Sequence, residues 1–269
     1  MKRERVIQMP KLFVVSDIHG FFDEFKSALD KAGFDPENEE HFLIVCGDTT
    51  DRGHQPYEVI HYLTNLIDND KCVVVKGNHE TLLLECCDRG EWYPHDMSNG
   101  TFDTICELGG AGYGSSFYEC CIVAKHRVKP FINRMVNYFE TENYIFVHSW
   151  IPLKCKDGLP KYYTRNRKFE FNPDWRNAHE SEWEDARWGN PFDLASQGLT
   201  PEKTIVFGHY HTSFARKVFD DEPEFGEDAD FSIYHGDGFI GIDACTAYSG
   251  KVNILVLEDN FLENHIDKP

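Results

Sequence analysis

The chain is short of positive charge. Its 269 residues carry 27 Lys and Arg against 46 Asp and Glu, a formal net charge of −19. Binding nucleic acid through its phosphates needs clustered Lys and Arg, so the balance argues against a nucleic-acid partner. A polyanionic ligand would need cations between itself and the protein. Long apolar runs are also missing. The longest, such as Phe42 to Cys46, span about five residues, where about 20 are needed to cross a bilayer, and no membrane partner is expected. The start, Met1 to Val6, is basic with no apolar run behind it and does not read as a secretory signal. No CxxC occurs, which leaves a zinc ribbon or a thioredoxin-like site without support. The nine cysteines are odd in number with no ladder of spacings, and read as reduced core thiols of a cytoplasmic protein. Internal repeats, low-complexity segments and linkers are absent too. What is present, 41% hydrophobic and 14% aromatic residues, is too apolar for a disordered chain and fits one α/β domain over residues 1–269.

Three short apolar runs open the chain, each followed by a polar turn and a helical pattern. Leu12 to Val15 leads into Asp17-Ile18-His19-Gly20, Phe42 to Cys46 into Gly47-Asp48-Thr49-Thr50-Asp51-Arg52-Gly53, and Cys72 to Val75 into Gly77-Asn78-His79-Glu80. Continuous β-branched runs between helices indicate strands buried on both faces. Residues 90–140 show helical patterns around Gly109-Gly110-Ala111-Gly112 with no convincing strand, and read as a helical insertion. Strands are expected again at 144–147, 204–207, 239–242 and 252–257. Residues 152–200 read as a long loop with short helices on the substrate side. Asp220 to Asp230, with seven carboxylates in eleven residues, reads as a solvated surface loop.

Loops leaving the carboxyl ends of strands form the binding crevice of such sheets. Here five in succession carry metal-ligating types: Asp17 and His19, Asp48 and Asp51, Asn78 and His79, His148, then His209 and His211. One such loop is ordinary turn and cap chemistry; five ask for a common ligand. Asp, His and Asn make a mixed oxygen and nitrogen set suited to Mn²⁺, with Fe or Zn²⁺ as alternatives. Alternate residues of an extended segment share a side, so Asp17 and His19 can grip one ion. With Asp48 as bridge and Asn78, His148 and His209 beyond it, the inventory suffices for two divalent ions, which at ~3.5–4 Å separation clamp a phosphoryl group. His209 and His211 have the same spacing as Asp17 and His19, so His211 is expected to reach the first ion while His209 takes the second; the alternative is that His211 hydrogen-bonds a carboxylate behind the ligands.

These blocks, in this order, resemble the three signatures of the phosphoprotein-phosphatase-type, calcineurin-like metallophosphoesterases, and most of all their bacterial branch. Phe146-Val147-His148, Phe207-Gly208-His209 and Gly241-Ile242-Asp243 extend the resemblance to about residue 258. It implies a sandwich of two mixed β-sheets flanked by helices, with a dimetal site at their edge. Carried over by motif, Asp17, His19 and Asp48 hold the first metal, and Asp48, Asn78, His148 and His209 the second. His79 protonates the leaving oxygen, Asp51 orients His79, and Arg52 and Asn78 meet the substrate. A hydroxide bridging the metals is the implied nucleophile. The implied activity is hydrolysis of phosphomonoesters, on a phosphorylated protein (Ser/Thr or dual specificity) or a small phosphoester. The alternatives are symmetrical hydrolysis of a dinucleoside polyphosphate such as diadenosine tetraphosphate, and an inactive binding module on the same fold.

Two features depart from the family pattern. His148 is followed by Ser149 and Trp150 rather than glycines, and the block Gly208-His209-Tyr210-His211 has a second histidine. Arg187, beside Trp188, is a candidate phosphate-binding arginine, with Arg165, Arg167 and Arg176 as competitors nearby. His41, His54, His61, His95, His126, His179, His235 and His265 read as structural or exposed, and Asp243 as a buried structural carboxylate behind the site.

Overall fold

The computed structural model describes residues 9–110, 115–155, 168–199 and 201–262. Arg165, Arg167, His265, Ala111 and Gly112 lie outside them. The three opening runs form β1 (Lys11–Val15), β2 (His41–Cys46) and β3 (Cys72–Val75), followed by α1 (Phe22–Ala32), α2 (Pro56–Asp68) and α3 (Asn78–Arg89). α1 has Asp23 and Glu24 in its first turn and Lys31 in its last, charges that match the helix dipole. It stops where Gly33 turns left-handed at φ 85°. Pro56 starts α2, which buries Val59, Ile60, Leu63 and Leu66 along one side. The turn expected around Asn78 and His79 is in fact the first turn of α3.

Next come α4 (Pro94–Asn99), α5 (Thr101–Gly109) and α6 (Phe117–Ile132), helical as expected. β4 (Phe139–Glu140) follows inside the range read as strandless; two residues are too few to leave a period-two pattern. It pairs antiparallel with β5 (Tyr144–Phe146). The short antiparallel pair β6 (Lys154–Cys155) and β7 (Phe169–Glu170), a 3₁₀ turn at Trp175–Asn177, α7 (Glu180–Arg187) and α8 (Pro191–Ala195) occupy the described part of the expected loop region. The chain continues through β8 (Thr204–Phe207), α9 (Thr212–Phe219), β9 (Tyr234–Gly236), β10 (Phe239–Gly241), α10 (Thr246–Ser249) and β11 (Leu255–Glu258). β9 was not expected from the pattern.

Two mixed sheets result, ordered β11-β1-β2-β3 and β4-β5-β8-β10-β9. In the first, β1, β2 and β3 run parallel and β11 antiparallel; in the second, β5, β8 and β10 run parallel. Leu12, Val14, Ile44, Cys46 and Val75 from the first sheet meet Phe146, Val206 and Ile240 from the second in one apolar cluster. The other faces are buried too. Phe13, Val15, Leu43 and Val45 pack with residues of α1, α2, α3, α5 and α6, while Ile145, Ile205 and Phe207 pack with Trp150, Trp175, Trp183 and Phe192. This double burial is why the strands read as unbroken apolar runs. Parallel strands of both sheets send their carboxyl-end loops to one edge of the sandwich. Among the described residues no helix is long and apolar enough to cross a membrane.

Candidate metal centre

The loops at that edge are wound rather than extended. Asp17, His19, Asp48, Asp51, Arg52 and His209 have φ of 51°, 49°, 55°, 72°, 65° and 67°, in the left-handed region that side chains seldom enter. Each such residue costs about 1–3 kcal/mol. Fully burying one Leu, Val or Phe returns about 1.5–3 kcal/mol, so the packed layers can sustain the strain. The first two loops are laced together: the N–H of Asp17 donates to Gly47 O at 3.1 Å, that of His19 to Asp48 O at 2.9 Å, and that of Gly53 to His19 O at 2.7 Å. Two glycines let carboxylates in close. A Cβ on Gly77 would strike the Asp48 carboxylate, and one on Gly208 would strike that of Asp17. Asp17 and His19 therefore meet through a left-handed turn, not through the alternation of an extended segment.

The donor atoms fall into two clusters that share Asp48: His19, Asp48 and His79 in one, Asp48, His148 and His209 in the other. His19 Nδ1 lies 2.9 Å from Thr50 O, and His148 Nδ1 2.9 Å from Cys46 O. A carbonyl only accepts, so each Nδ1 donates, and each Nε2 is the nitrogen turned toward the shared Asp48. Around His148 Nε2 stand Asn78 Oδ1 at 2.8 Å, His209 Nδ1 at 3.1 Å and Asp48 Oδ1 at 3.4 Å. The other Asp48 oxygen faces His19 Nε2 at 3.6 Å, and Asp17 Oδ1 is 3.8 Å from the same nitrogen. Lone pairs converging in a buried space repel one another unless a cation lies among them. The residues present thus fit two divalent ions with oxygen and nitrogen ligands.

Protonation follows the same logic. Burial, with Arg52 and His79 nearby, holds His19 well below the usual histidine range. Burial and His148 push His209 down to about 3. A lowered pKa favours the neutral imidazole, the form that binds metal. Burial works against charge on Asp48, but His148, His79, His19 and His209 together outweigh it and hold its carboxyl well below the usual range. Burial, Asp243 and Asp48 push Asp17 well up, and Asp243 is raised chiefly by burial. Three buried acids at one spot favour a cation among them.

His79 differs from the other imidazoles. Its Nδ1 lies 2.8 Å from Asp51 Oδ2. Burial opposes its positive charge, but Asp48 and Asp51 outweigh burial and raise its pKa. An imidazole disposed to hold its proton is a poor ligand and a good acid, so its membership of the first cluster by distance does not make it a ligand. Arg52 reaches over that cluster, with Nη1 2.8 Å from His19 Nε2 and Nη2 3.2 Å from His79 Nε2. One lone pair on His19 Nε2 cannot serve Arg52 and a metal at once.

Asp17, His19, Asp48, Asp51, Arg52, Asn78, His79, His148 and His209 are thus brought together. Two candidates are not. His211 has its Nε2 3.3 Å from Glu224 Oε1 and lies in neither donor cluster. The left-handed turn at His209 breaks the extended alternation that would have aimed both rings the same way. Arg187 is buried, with its guanidinium on Asn137 and on Glu180 Oε1 at 2.9 Å. The ring of its neighbour Trp188 stands perpendicular to that of His209 at 6.5 Å; successive helical side chains diverge by about 100°. Arg176 is engaged with Glu140.

Sequence reasoning missed three contributors. Glu80, in the first turn of α3, accepts from the N–H groups of Gly77 (2.8 Å), Asp48 (3.2 Å) and Thr49 (2.8 Å), and from Thr49 Oγ1 (2.8 Å). A glutamate three residues into a helix was the available signal. Thr101 donates to Asp51 Oδ2 at 2.7 Å, and Thr104 Oγ1 accepts from the Asp51 N–H at 3.1 Å. Nothing local marks these two.

A strand-loop site of this kind defines a class of phosphoester-processing metalloproteins. The sequence model of the calcineurin-like phosphoesterase family matches residues 10–236, and the chain belongs to that family. A symmetrical bis(5'-nucleosyl)-tetraphosphatase from Glaesserella parasuis is 39% identical over 72 residues, 27% of this chain and 25% of the relative. The match therefore spans about a quarter of that relative's length. Among solved structures, a cold-active protein-tyrosine phosphatase from a Shewanella species aligns with a TM-score of 0.52 and 16% identity, covering 94% of this chain and 76% of the other. A protein serine/threonine phosphatase from Saccharomyces cerevisiae aligns with a TM-score of 0.50 and 15% identity, covering 98% and 84%. At these identities the structural likeness concerns the fold.

Proposed function

We propose that the chain is a two-metal phosphoester hydrolase acting on phosphomonoesters, with phosphoserine, phosphothreonine or phosphotyrosine in a protein as its substrate class. The observation that carries this reading is the His79–Asp51 pair, at 2.8 Å, beside two donor clusters that share Asp48. Asp17, His19 and Asp48 would hold one divalent ion, Mn²⁺ on this reading, and Asp48, Asn78, His148 and His209 the other. When bound, such ions supply Lewis-acid charge and an acidified water.

The chain's own groups account for the rest. Arg52, with two donors in a fork, binds and orients the phosphoryl oxygens, and Asn78 is assigned to the substrate as well as to the second ion. His79 keeps Nδ1–H on Asp51 and gives the proton on Nε2 to the leaving oxygen. Asp51 stabilises the imidazolium before transfer and holds the ring's direction. No covalent intermediate on the protein is required.

A second reading, symmetrical hydrolysis of diadenosine tetraphosphate, is supported by the local 39% identity to the tetraphosphatase. A binding module without activity is disfavoured, since decay would be expected to remove at least one of Asp48, Arg52, Asn78 and His79. Turnover of p-nitrophenyl phosphate, phosphopeptides and diadenosine tetraphosphate, measured side by side on Mn²⁺-loaded protein, discriminates all three. The first reading expects phosphopeptides to be preferred in kcat/KM; preference for the dinucleotide selects the second, and no turnover the third.

A further inference from the structure

Asp51 is fully buried, and its two oxygens are treated differently. Oδ2 meets both His79 Nδ1 at 2.8 Å and Thr101 Oγ1 at 2.7 Å, while Oδ1 has no hydrogen-bond partner among the described residues. A carboxylate held by one donor can turn about its last bond and offer either oxygen. Two donors on one oxygen anchor that oxygen in place. The hydroxyl is therefore not there merely to satisfy a buried acid, since the oxygen left bare is the other one.

α5 and the glycine before it hold the same loop at two further points. Thr104 Oγ1 accepts from the Asp51 N–H at 3.1 Å. At the junction of α4 and α5, Gly100 takes φ +84° and lies against the backbone of Arg52; a Cβ there would stand 2.7 Å from Arg52 Cα. Asp51 and Arg52 are consecutive left-handed residues, a conformation that persists only where neighbours over-determine it. Thr101, Thr104 and Gly100 are those neighbours.

We propose that Thr101 is a positioning residue for the His79–Asp51 pair: its hydroxyl selects the Asp51 oxygen that His79 meets and so sets the direction of the imidazole. The proposal rests on the reading of His79 as general acid. Thr101→Val keeps the β-branched shape and removes the hydroxyl, Thr101→Ala is carried beside it in case the first does not fold, and Thr101→Ser keeps the hydroxyl. With Mn²⁺ supplied, the Val and Ala variants should lose ~10-fold in kcat on phenyl phosphate and under ~3-fold on p-nitrophenyl phosphate, with KM unchanged, since the better leaving group needs less protonation. Thr101→Ser should restore kcat to within ~2-fold.

A second readout needs no turnover. In the metal-free full chain, the downfield Nδ1 proton resonance of His79, identified by its loss in His79→Asn, should shift or broaden in the Val and Ala variants and return in Ser. Equal losses on both leaving groups, failure of Ser to rescue, or an unmoved resonance would overturn the proposal. A wild-type chain that hydrolyses no phosphoester while the resonance still answers to Thr101 refutes the enzymatic reading and leaves the positioning intact. Wild-type turnover with an unresponsive resonance does the reverse.

Discussion

His19 and His148 each give an Nδ1 proton to a backbone carbonyl, whereas His79 gives its own to a carboxylate. A carbonyl fixes the ring with its other nitrogen turned toward the donor cluster; a carboxylate supports an imidazolium that can give a proton away. On the proposed function, side chains of one type thus take different tasks through a single partner. His79→Asn should lower kcat by ~10²–10⁴-fold, the usual worth of a general acid, and less on p-nitrophenyl phosphate than on a phosphopeptide. Steady-state kinetics on both substrates checks this, and equal losses would assign His79 another task. His211 faces Glu224, so His211→Ala should retain both metal ions at unchanged affinity. Metal analysis after dialysis tests it, and loss of one ion would return His211 to the ligand set.

At the scale of elements, Glu80 ties the loop after β2 to the start of α3 through four donors, Gly77 N, Asp48 N, Thr49 N and Thr49 Oγ1. Glu80→Ala would leave buried N–H groups without partners, at about 1–3 kcal/mol for each group not rescued by water. The expected result is a lower urea midpoint together with weakened metal binding, because Asp48 moves with its loop. Glu140, on β4, is buried and takes Arg176 Nη2 at 2.6 Å and Lys203 Nζ at 2.8 Å. Burial opposes its charge, but these partners outweigh burial and hold its carboxyl below the usual value of 4.5. The pair's contribution is therefore full above pH about 4.5 and is lost as the pH falls through the lower folded value. Urea midpoints measured from pH 7 down to pH 3 (about the carboxylate range) should fall more steeply for wild type than for Glu140→Gln.

For the whole molecule, the site is a seam. Asp17, His19, Asp48 and Asn78 follow strands of the first sheet, and His148 and His209 follow strands of the second. An ion held by Asp48, Asn78, His148 and His209 would cross-link the two sheets, so ligand binding and folding are linked. At 100 times its Kd, an ion bound only by the folded state adds about 2.7 kcal/mol. Mn²⁺ should accordingly raise Tm and a chelator lower it, and His148→Ala should remove much of the gain. A Tm indifferent to both would contradict the seam. The charge of −19 points the same way, since a strongly acidic chain gains from bound cations.

Much of this was legible along the chain, and for a definite reason. The strands are buried on both faces, so they appear as unbroken apolar runs, and the loops after them carry Asp, His and Asn in blocks whose order alone points to the family. Asp17, Asp48, Asn78 and His79 were expected to lie together because each sits within a few residues of a strand end, and the structure brings them together. Thr101 and Thr104 were not expected there, since their only distinction is contact with Asp51, some 50 residues earlier. His211 and Arg187 face away from the cluster because spacing says how far apart two side chains are in the chain, while direction depends on φ. A left-handed residue at 209 and a helix end at 187 turned them away. Residue type and order determined the chemistry available; backbone handedness and packing between distant elements, which only the tertiary structure decides, determined which atoms face one another.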